Sequence, residues 1–579
     1  MTKGDDMKPI SKKRNSYVYP PSIWDHNFVQ SLRSDYTKES KYGKRAEKLK
    51  DGIRRMFINH QRVAGGTLPL ANLLKLINDI QKLGIDYHFD DEITGVLEAI
   101  VKDKHAWQTD NLFLQALRFR LLRQHGYEVS QDVLKSFTED IKASGDVFMK
   151  LCIENNKCVE DMLSVYEASF YAFKGENILE EAQKFTSRVL KEYISLVEED
   201  KDDEEGHGKM GKRLVSHALE LPFRWTMQKL ESRWFIDTYE MRKEGMDPLL
   251  LEFAKLDYNI VQANYQEELK YISRWWQELG YLDTLKFSRD RWTETFFWSV
   301  GSRFEPKFAN FRRQFTKLSI AVTTVDDMYD IYGSPDELKM FTDAVERWDI
   351  YNVEDLPYYM KICFIALYNT TNDMAYEILL KHGFHCISYL KDAIVDFCVA
   401  QFEEAKSHEY IPTLEEHLNN TWRSVSGSVL STVAYLMLEK EPTKEALEHI
   451  KNFSLSDVRR CSYSILRLLN DLETSSEELG RGAPPTSVQC YMHETGASES
   501  AAREHIKNVV SDLWKEMNQD IYSRSIFPQS FTDALVNVGR TSHCLYQFGD
   551  GYGVSPELLK DRVTSLFFEP IPITSDIIA

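Results

Sequence analysis

Apolar residues recur along this chain at helical spacing. Between Leu251 and Trp276, "LEFAKLDYNIVQANYQEELKYISRWW" places them every three or four residues for several turns. "YYMKICFIALYNTTNDMAYEILLKHG", from Tyr358 to Gly383, does the same. Such spacing gathers apolar side chains on one face of an α-helix. Strand-like alternation with hairpin turn signals is nearly absent. Gly and Pro cluster between the helical stretches, as in "RGAPPT" (481–486) and "YGSPDE" (332–337), and no short solenoid-like period repeats. A Gly-Met-Asp-Pro turn inside "MRKEGMDP", Met241 to Pro248, precedes a new long helix. The pattern predicts an all-α chain of two helical domains, divided near that turn.

The stretch "SIAVTTVDDMYDIYG", Ser319 to Gly333, departs from ordinary amphipathic patterning. Leu318 to Val325 is almost wholly apolar or small, which predicts a helix buried on most sides. Three carboxylates follow, Asp326, Asp327 and Asp330, with no Lys or Arg within several residues. In a helix, Asp326 and Asp330 lie one turn apart on the same face, and Asp327 leans toward it. Taken alone, an acidic triplet is equally well explained as a solvated helix end. On a buried helix, like charges need a cation between them.

A second polar set lies downstream in "RLLNDLETSSEELGRG". Asn470, Thr474 and Glu478 are spaced four and four, drifting only about 40° per step around a helix. An amide oxygen, a hydroxyl and a carboxylate on one stripe form a hard-oxygen ligand set suited to Mg²⁺. The competing reading is an exposed face rich in Glu and Ser, but Asn470 directly follows the apolar "SILRLL". Arg289 and Arg291 precede the aromatic "WTETFFW", and Arg467 lies three residues before Asn470. Most arginines do no more than pair with nearby surface acids. Acids, neutral oxygens and arginines converging in one cavity have a more economical explanation. Metal ions would bridge the acids to a highly anionic substrate whose remaining oxygens the arginines hold, and a diphosphate fits both demands.

Composition narrows the field. A chain of 579 residues with 43% apolar and 12% aromatic content is globular rather than disordered. Its net charge of −19, with no basic tract, argues against nucleic acid or an anionic membrane as partner. No apolar run is long enough to span a bilayer. Eight cysteines without CxxC pairs predict free thiols rather than a disulfide framework or a zinc site. The charge-dense "VEEDKDDEEGHGKMGKR", Val197 to Arg213, reads as a solvated loop between helices. The opening "MTKGDDMKPISKKRN" has neither a signal-peptide core nor the composition of a transit peptide.

"DDMYD" resembles the aspartate-rich DDxxD motif of class I plant terpene synthases, and "NDLETSSEE" their (N/D)DxxS/TxxxE motif. The likeness runs through nearly the whole chain, by way of "FRLLRQHGYEVSQDV" (119–133), "SRWW" (273–276), "RDR" (289–291), "CYMHETGAS" (490–498) and "YQFGDGYG" (546–553). In detail it is most similar to the angiosperm monoterpene synthases and their isoprene-forming relatives. The resemblance implies a C-terminal class I terpenoid synthase α-bundle (241–579) and an N-terminal α-barrel (26–240). Residues 1–25 would form a strand that closes over the pocket as a lid. By the same resemblance, Asp326, Asp327 and Asp330 would bind two Mg²⁺ ions and Asn470, Thr474 and Glu478 a third, with Mn²⁺ as a substitute. Arg289, Arg291 and Arg467 would contact the diphosphate, while Trp298, Tyr546 and Tyr552 line an aromatic pocket close to Asp550. Metal-assisted ionisation of the C–O bond would leave an allylic cation that the aromatic faces shelter from water. The implied partner is a small prenyl diphosphate, with no membrane insertion and a monomeric or weakly dimeric chain. Its location would be the plastid if a leader has been removed, and the cytosol as the sequence is written.

The chain departs from that family's pattern at several positions. Ahead of Trp24, where cyclising members carry a tandem arginine, it has Arg14-Asn15, although Lys12 and Lys13 offer substitute charge. A Lys that often follows the second metal motif is Thr486 here. "DYHFDD" (86–91) comes close to the DxDD motif of protonation-initiated cyclases, but His88 takes the place of its first aspartate. These readings predict a monoterpene synthase acting on geranyl diphosphate to give an acyclic product: ocimene, myrcene or linalool. The alternatives are a sesquiterpene or nerolidol synthase using farnesyl diphosphate, a cyclic monoterpene synthase, and a non-catalytic helical scaffold. An isoprene synthase would shorten its pocket with phenylalanines where this chain has Ser319 and Leu466.

Overall fold

The structure, a computed structural model, describes residues 19–573 apart from 63–66, 103–110, 154–155, 197–206, 243, 282–283, 407–409, 453–457, 482–483, 523–525 and 554–555. Helices begin and end where side-chain chemistry dictates. Asp247 caps the helix Pro248–Leu279 by accepting from the Leu249 and Leu250 amides, Pro248 occupies its first turn, and Gly280 closes it with φ 63°. Ser334 and Glu337 form a reciprocal capping box at the start of Pro335–Arg347. Among the described residues the fold is all-α, and the nearest thing to a strand pairing is an isolated bridge between Gln547 and Gly549.

The helix Pro248–Leu279 is the spine between the two halves of the chain. It packs on Lys41–Arg62 from the first half and on the C-terminal helix Glu557–Phe567. Its buried polar side chains are spoken for. Asn259 exchanges two hydrogen bonds with the Ile571 backbone, at 2.8 and 2.7 Å. Gln262 donates to the carbonyls of Ser565 and Leu566, groups that a helix end leaves without partners, and to that of Glu569 just beyond it. Asp257 accepts from the Tyr87 hydroxyl at 2.6 Å and pairs with His88 at 2.8 Å. The segment that resembles an acid motif therefore docks onto the spine. We propose a division into two domains at the turn between Gln228–Glu240 and Pro248–Leu279.

Three expectations are corrected. The charge-dense run is helical from His207 onward, within the helix His207–Glu220; its earlier residues lie outside the described ones. Leu214, Val215 and Ala218 give this helix the apolar face that its charged start conceals. Cys158 is disulfide-bonded, whereas six other cysteines are buried free thiols. Residues 19–25 run as irregular chain rather than as a strand, because Pro20 and Pro21 supply no amide donors for a ladder. This segment is anchored instead by Trp24, whose ring lies 5.0 Å from that of Phe568. Lys12, Lys13, Arg14 and Asn15 lie outside the described residues.

Beneath the anchored segment, Glu294 is fully buried, and the Trp24 indole and the Arg291 charge oppose the effect of that burial on its carboxyl. Burial pushes its carboxyl from an ordinary 4.5 up to about 7. Because the folded value lies above the unfolded one, the unfolded chain loses its proton first as pH rises. Stability therefore falls between roughly pH 4.5 and 7, and stays reduced above that. Glu294→Gln removes this penalty, so the variant should be more stable than wild type at pH 8, by about 3 kcal/mol at most. The gap should shrink toward pH 5. Urea unfolding of both proteins at the two pH values measures it, and a gap that does not change with pH would contradict the burial argument.

Candidate active site

Protein interiors leave few voids larger than a water molecule, so an internal cavity of about 190 Å³ is a built chamber. Its walls come from Trp292–Ser302, Ala309–Asp327, Ile387–Lys406, Val458–Arg481 and Gln529–Tyr546, with a cap from Tyr19 and from Asp550, Tyr552 and Gly553. Eleven residues singled out in the sequence line it: Arg289, Trp298, Asp326, Asp330, Arg467, Asn470, Thr474, Glu478, Tyr546, Asp550 and Tyr552. Ser319 and Leu466 line it too.

The first acidic wall sits where the helix Ala309–Asp327 loosens into a wide π-type turn, Met328–Tyr332, closed by a 2.8 Å bond from the Gly333 amide to the Met328 carbonyl. Such widened turns recur at functional sites. Asp326 and Asp330 both reach the cavity across it. Asp327, about 100° further round the helix than Asp326, does not line the cavity and is fully buried. Its two oxygens accept from the Arg289 backbone amide and from Arg289 Nε, each at 2.8 Å. Arg289 Nη2 also reaches Asp326 Oδ2 at 3.1 Å. The Arg289 guanidinium faces the rings of Tyr19 and Tyr552, 5.0 and 5.7 Å from their centroids.

The second wall is the stripe on Val458–Arg481. Thr474 donates its hydroxyl proton to the Asn470 carbonyl at 3.0 Å, which leaves oxygen lone pairs for the cavity. Between the walls, Arg467 pairs with Glu404 at 2.8 Å and with Asp471 at 2.7 Å. Asp471 is fully buried, pairs with His417 at 3.0 Å and accepts from the Ser487 amide at 2.7 Å. Burial alone would raise its carboxyl, but Arg467 and then His417 pull it down to about 2. The second residue of each acidic motif thus holds an arginine, Asp327 for Arg289 and Asp471 for Arg467.

Asp326 and Asp330 behave as carboxylates short of positive charge. Burial, then Asp327 and Glu404, hold Asp326 up at about 6 against the opposing Arg289. Asp330 is an exposed side chain on the cavity wall; partial loss of surrounding water, then the charges of Asp326, Glu404 and Glu478, raise its carboxyl above the ordinary value. Among the described residues no three Asp, Glu, His or Cys side chains are gathered closely enough to cage a metal unaided. The donor set fits hard cations that complete their shells with neutral oxygens, water or phosphate, as Mg²⁺ does.

Aromatic side chains also line the chamber. Trp298 meets the edge of Tyr552 at 6.5 Å. The Tyr552 hydroxyl is held by Thr295 and Thr323, at 3.0 and 3.2 Å. Asp550 accepts from the Gly553 amide at 2.8 Å, and a Cβ on Gly553 would push that carboxylate from its place.

Two positions differ from what the resemblance implies. Asp327 faces Arg289 instead of the cavity. Arg291 is 2% exposed and outside the cavity lining; its guanidinium donates to the carbonyls of Pro20, Asp290 and Gly553. A residue two positions from Arg289 points elsewhere in an irregular loop, and this one ties the N-terminal segment to the C-terminal loop. Thr486 is fully buried and caps the helix Ser487–Thr495 with Gln489. Tyr19, Gln401 and Glu404 also belong to the site, though no sequence motif marks them. For the last two, the signal was a polar pair three residues apart in "AQFEEAK", on a helix whose neighbouring turns are apolar.

Two walls of oxygen ligands, two held arginines and an aromatic pocket define a metal-binding all-α enzyme for a substrate that is anionic at one end and apolar at the other. Residues 23–219 match the N-terminal domain of the terpene synthase family, and residues 277–516 match its metal-binding domain. The chain belongs to the terpene synthase family and is a lyase. Among curated relatives it is 45% identical to a chloroplastic myrcene synthase of Quercus ilex, over 97% of this chain and 91% of that protein. It is also 45% identical to a (−)-α-terpineol synthase of Vitis vinifera, over 97% and 92%. Among solved structures it resembles a limonene synthase with 2-fluorolinalyl diphosphate (TM-score 0.87, 34% identity, 97% of this chain and 100% of that one). It also resembles isoprene synthase of Populus x canescens with three Mg²⁺ ions and dimethylallyl-S-thiolodiphosphate (TM-score 0.80, 38% identity, 95% and 99%).

Protons compete with a cation for Asp326 and Asp330, whose metal-free values are both raised, so binding a divalent ion should release protons. The Mg²⁺ concentration that half-saturates the protein in the presence of inorganic diphosphate is expected to rise several-fold from pH 8 to pH 6. Calorimetric titration at the two pH values, in buffers of different ionisation enthalpy, reads both the affinity and the proton release.

Proposed function

We propose that this chain is a Mg²⁺-dependent monoterpene synthase that ionises geranyl diphosphate, releases diphosphate and forms an acyclic monoterpene: myrcene, ocimene or linalool. The observation that carries the reading is a single cavity lined by Asp326, Asp330 and Glu404, by Asn470, Thr474 and Glu478, and by the aromatic side chains of Trp298, Tyr546 and Tyr552. The carboxylates, Asn470 and Thr474 would hold the metal ions, with Mn²⁺ as a substitute for Mg²⁺. When bound, the ions withdraw electron density from the diphosphate and so weaken the allylic C–O bond. Arg289 and Arg467 hold the departing anion. Trp298 and Tyr552 present π faces to the cation, and the hydroxyl of Tyr552, already engaged by Thr295 and Thr323, is a poor nucleophile toward it. Asp550 and Tyr546 are the polar groups placed to take a proton from the cation at the close. Asp327 and Arg291 act through Arg289 and through the N-terminal segment.

The ten-carbon substrate is favoured by the names of the relatives, among them myrcene, terpineol, γ-terpinene and limonene synthases, and by Ser319 and Leu466 in the pocket, where larger side chains would shorten it. Those names cover both acyclic and cyclic products, so the acyclic assignment rests on Asn15 and Thr486, two positions that lack a cationic side chain. Several relatives are described as chloroplastic, which supports a plastid location. The chain acts as a monomer or weak homodimer.

Incubation with geranyl, farnesyl and dimethylallyl diphosphate, followed by gas chromatography, tests the reading. The largest kcat/KM is expected for geranyl diphosphate, with an acyclic product dominant. A larger value for farnesyl diphosphate would make this a sesquiterpene or nerolidol synthase, and a mainly cyclic product would refute the inference drawn from Asn15. Asp326→Ala should lower kcat at least ~100-fold, as expected for loss of electrostatic support for a developing charge, with an unchanged helical circular dichroism spectrum.

A further inference from the structure

We propose that Gln401 is a positioning residue of the metal site, one that aims the carboxylate of Asp326. The inference rests on the reading of Asp326 as a metal ligand. Gln401 stands on the helix Ile387–Lys406, one turn before Glu404, and is 2% exposed. Its amide nitrogen donates to Asp326 Oδ1 at 2.6 Å and to the Ser424 carbonyl at 2.8 Å. A carboxylate and a carbonyl only accept, so the amide can face them in one orientation alone. Ser424 ends the helix Leu414–Ser424, and the next two residues, Val425 and Ser426, line the cavity. Ser426 is held at φ 71°, a conformation that side chains other than glycine rarely adopt. Gln401 therefore ties the acidic wall to a strained helix break beside the substrate chamber.

Each oxygen of Asp326 has its own tether, Gln401 on Oδ1 and Arg289 on Oδ2. Two tethers fix the carboxylate plane, and each oxygen keeps a second lone pair for the cavity. Outer groups of this kind set the orientation of ligands that touch a metal. An amide does so without charge: a Lys or Arg at 401 would compete with the cation, and a carboxylate would add to the crowding around Asp326 and Glu404. Gln401 Oε1 is buried and makes no hydrogen bond, a cost to folding that the two bonds from its amide nitrogen offset.

Gln401→Leu removes both donors and the unpartnered oxygen while keeping the volume. Thermal unfolding of the full chain is followed across a Mg²⁺ series with inorganic diphosphate present, and also without metal. The metal-free melting temperature is expected to change little or fall slightly, because loss of the unpartnered oxygen offsets only part of the cost of leaving the Ser424 carbonyl without its donor. The half-saturating Mg²⁺ concentration should rise roughly 10–100-fold, and turnover of geranyl diphosphate should fall at limiting Mg²⁺ and recover in part at high Mg²⁺. Gln401→Met, unbranched and close in shape, serves if the leucine packs poorly. A lower metal-free melting temperature with unchanged Mg²⁺ dependence would assign Gln401 a purely structural role and overturn the inference. Absence of any Mg²⁺-diphosphate shift in the wild type would overturn the reading of Asp326 as a ligand, and this inference with it. A wild-type shift that the variants reproduce at the same Mg²⁺ concentration overturns this inference alone.

Discussion

Carboxylates a few ångström apart repel strongly in a medium that excludes water, and the guanidinium of Arg289 is what allows Asp326 and Asp327 to end the same buried helix. Other features follow from that contact. The Arg289 backbone amide bonds to Asp327 as well as its side chain, which fixes the loop before Trp292–Ser302 against the end of Ala309–Asp327. The faces of the guanidinium receive Tyr19 from the N-terminal segment and Tyr552 from the C-terminal loop. Two pieces of chain more than five hundred residues apart therefore meet over one charge, and Arg291 joins the same pieces through the carbonyls of Pro20 and Gly553.

The same device appears on the opposite wall. Asp471, fully buried, holds Arg467 against Glu404 in the way Asp327 holds Arg289 against Asp326. In both motifs a cavity-facing oxygen side chain is followed directly by a buried aspartate that spends its charge on an arginine. This division of labour has a geometric cause. Neighbours on a helix point about 100° apart, so a pair of adjacent polar residues serves two environments, one the chamber and one the packed protein behind it. The arginines gain orientation from aspartates that do not line the chamber. The remaining acids, Asp326 and Asp330, keep raised proton affinities that only an incoming cation relieves.

Such a site needs a rigid frame, because donors that drift by an ångström no longer share an ion. The frame is the spine Pro248–Leu279, whose buried Asn259 and Gln262 bind the backbone of the C-terminal helix and the chain that follows it. That helix also places Phe567 against Phe296, at 5.4 Å, behind the aromatic wall. The C-terminal residues thereby support the pocket from behind while the N-terminal segment covers it from the front, the two ends touching through Trp24 and Phe568.

The helical class, the helix start after the Gly-Met-Asp-Pro turn at Asp247 and the two oxygen stripes were all legible in the sequence, because each depends on residues within a turn or two of one another. Periodicity, capping and i, i+4 spacing are local, and they survive in any fold that buries the same faces. The roles of individual residues were less legible. Asp327 and Asp326 are adjacent acids in the sequence, and only the loop carrying Arg289 decides that one faces the cavity and the other a guanidinium. Arg291 carries the same charge as Arg289 but is used up on three backbone carbonyls. Gln401 and Glu404 belong to a third helix that no motif marks, and Tyr19 reaches the site from the far end of the chain. The sequence by itself determined which helices form and which faces carry oxygen ligands. Which of those ligands look into a common chamber was decided by tertiary packing, because that depends on the relative placement of elements hundreds of residues apart.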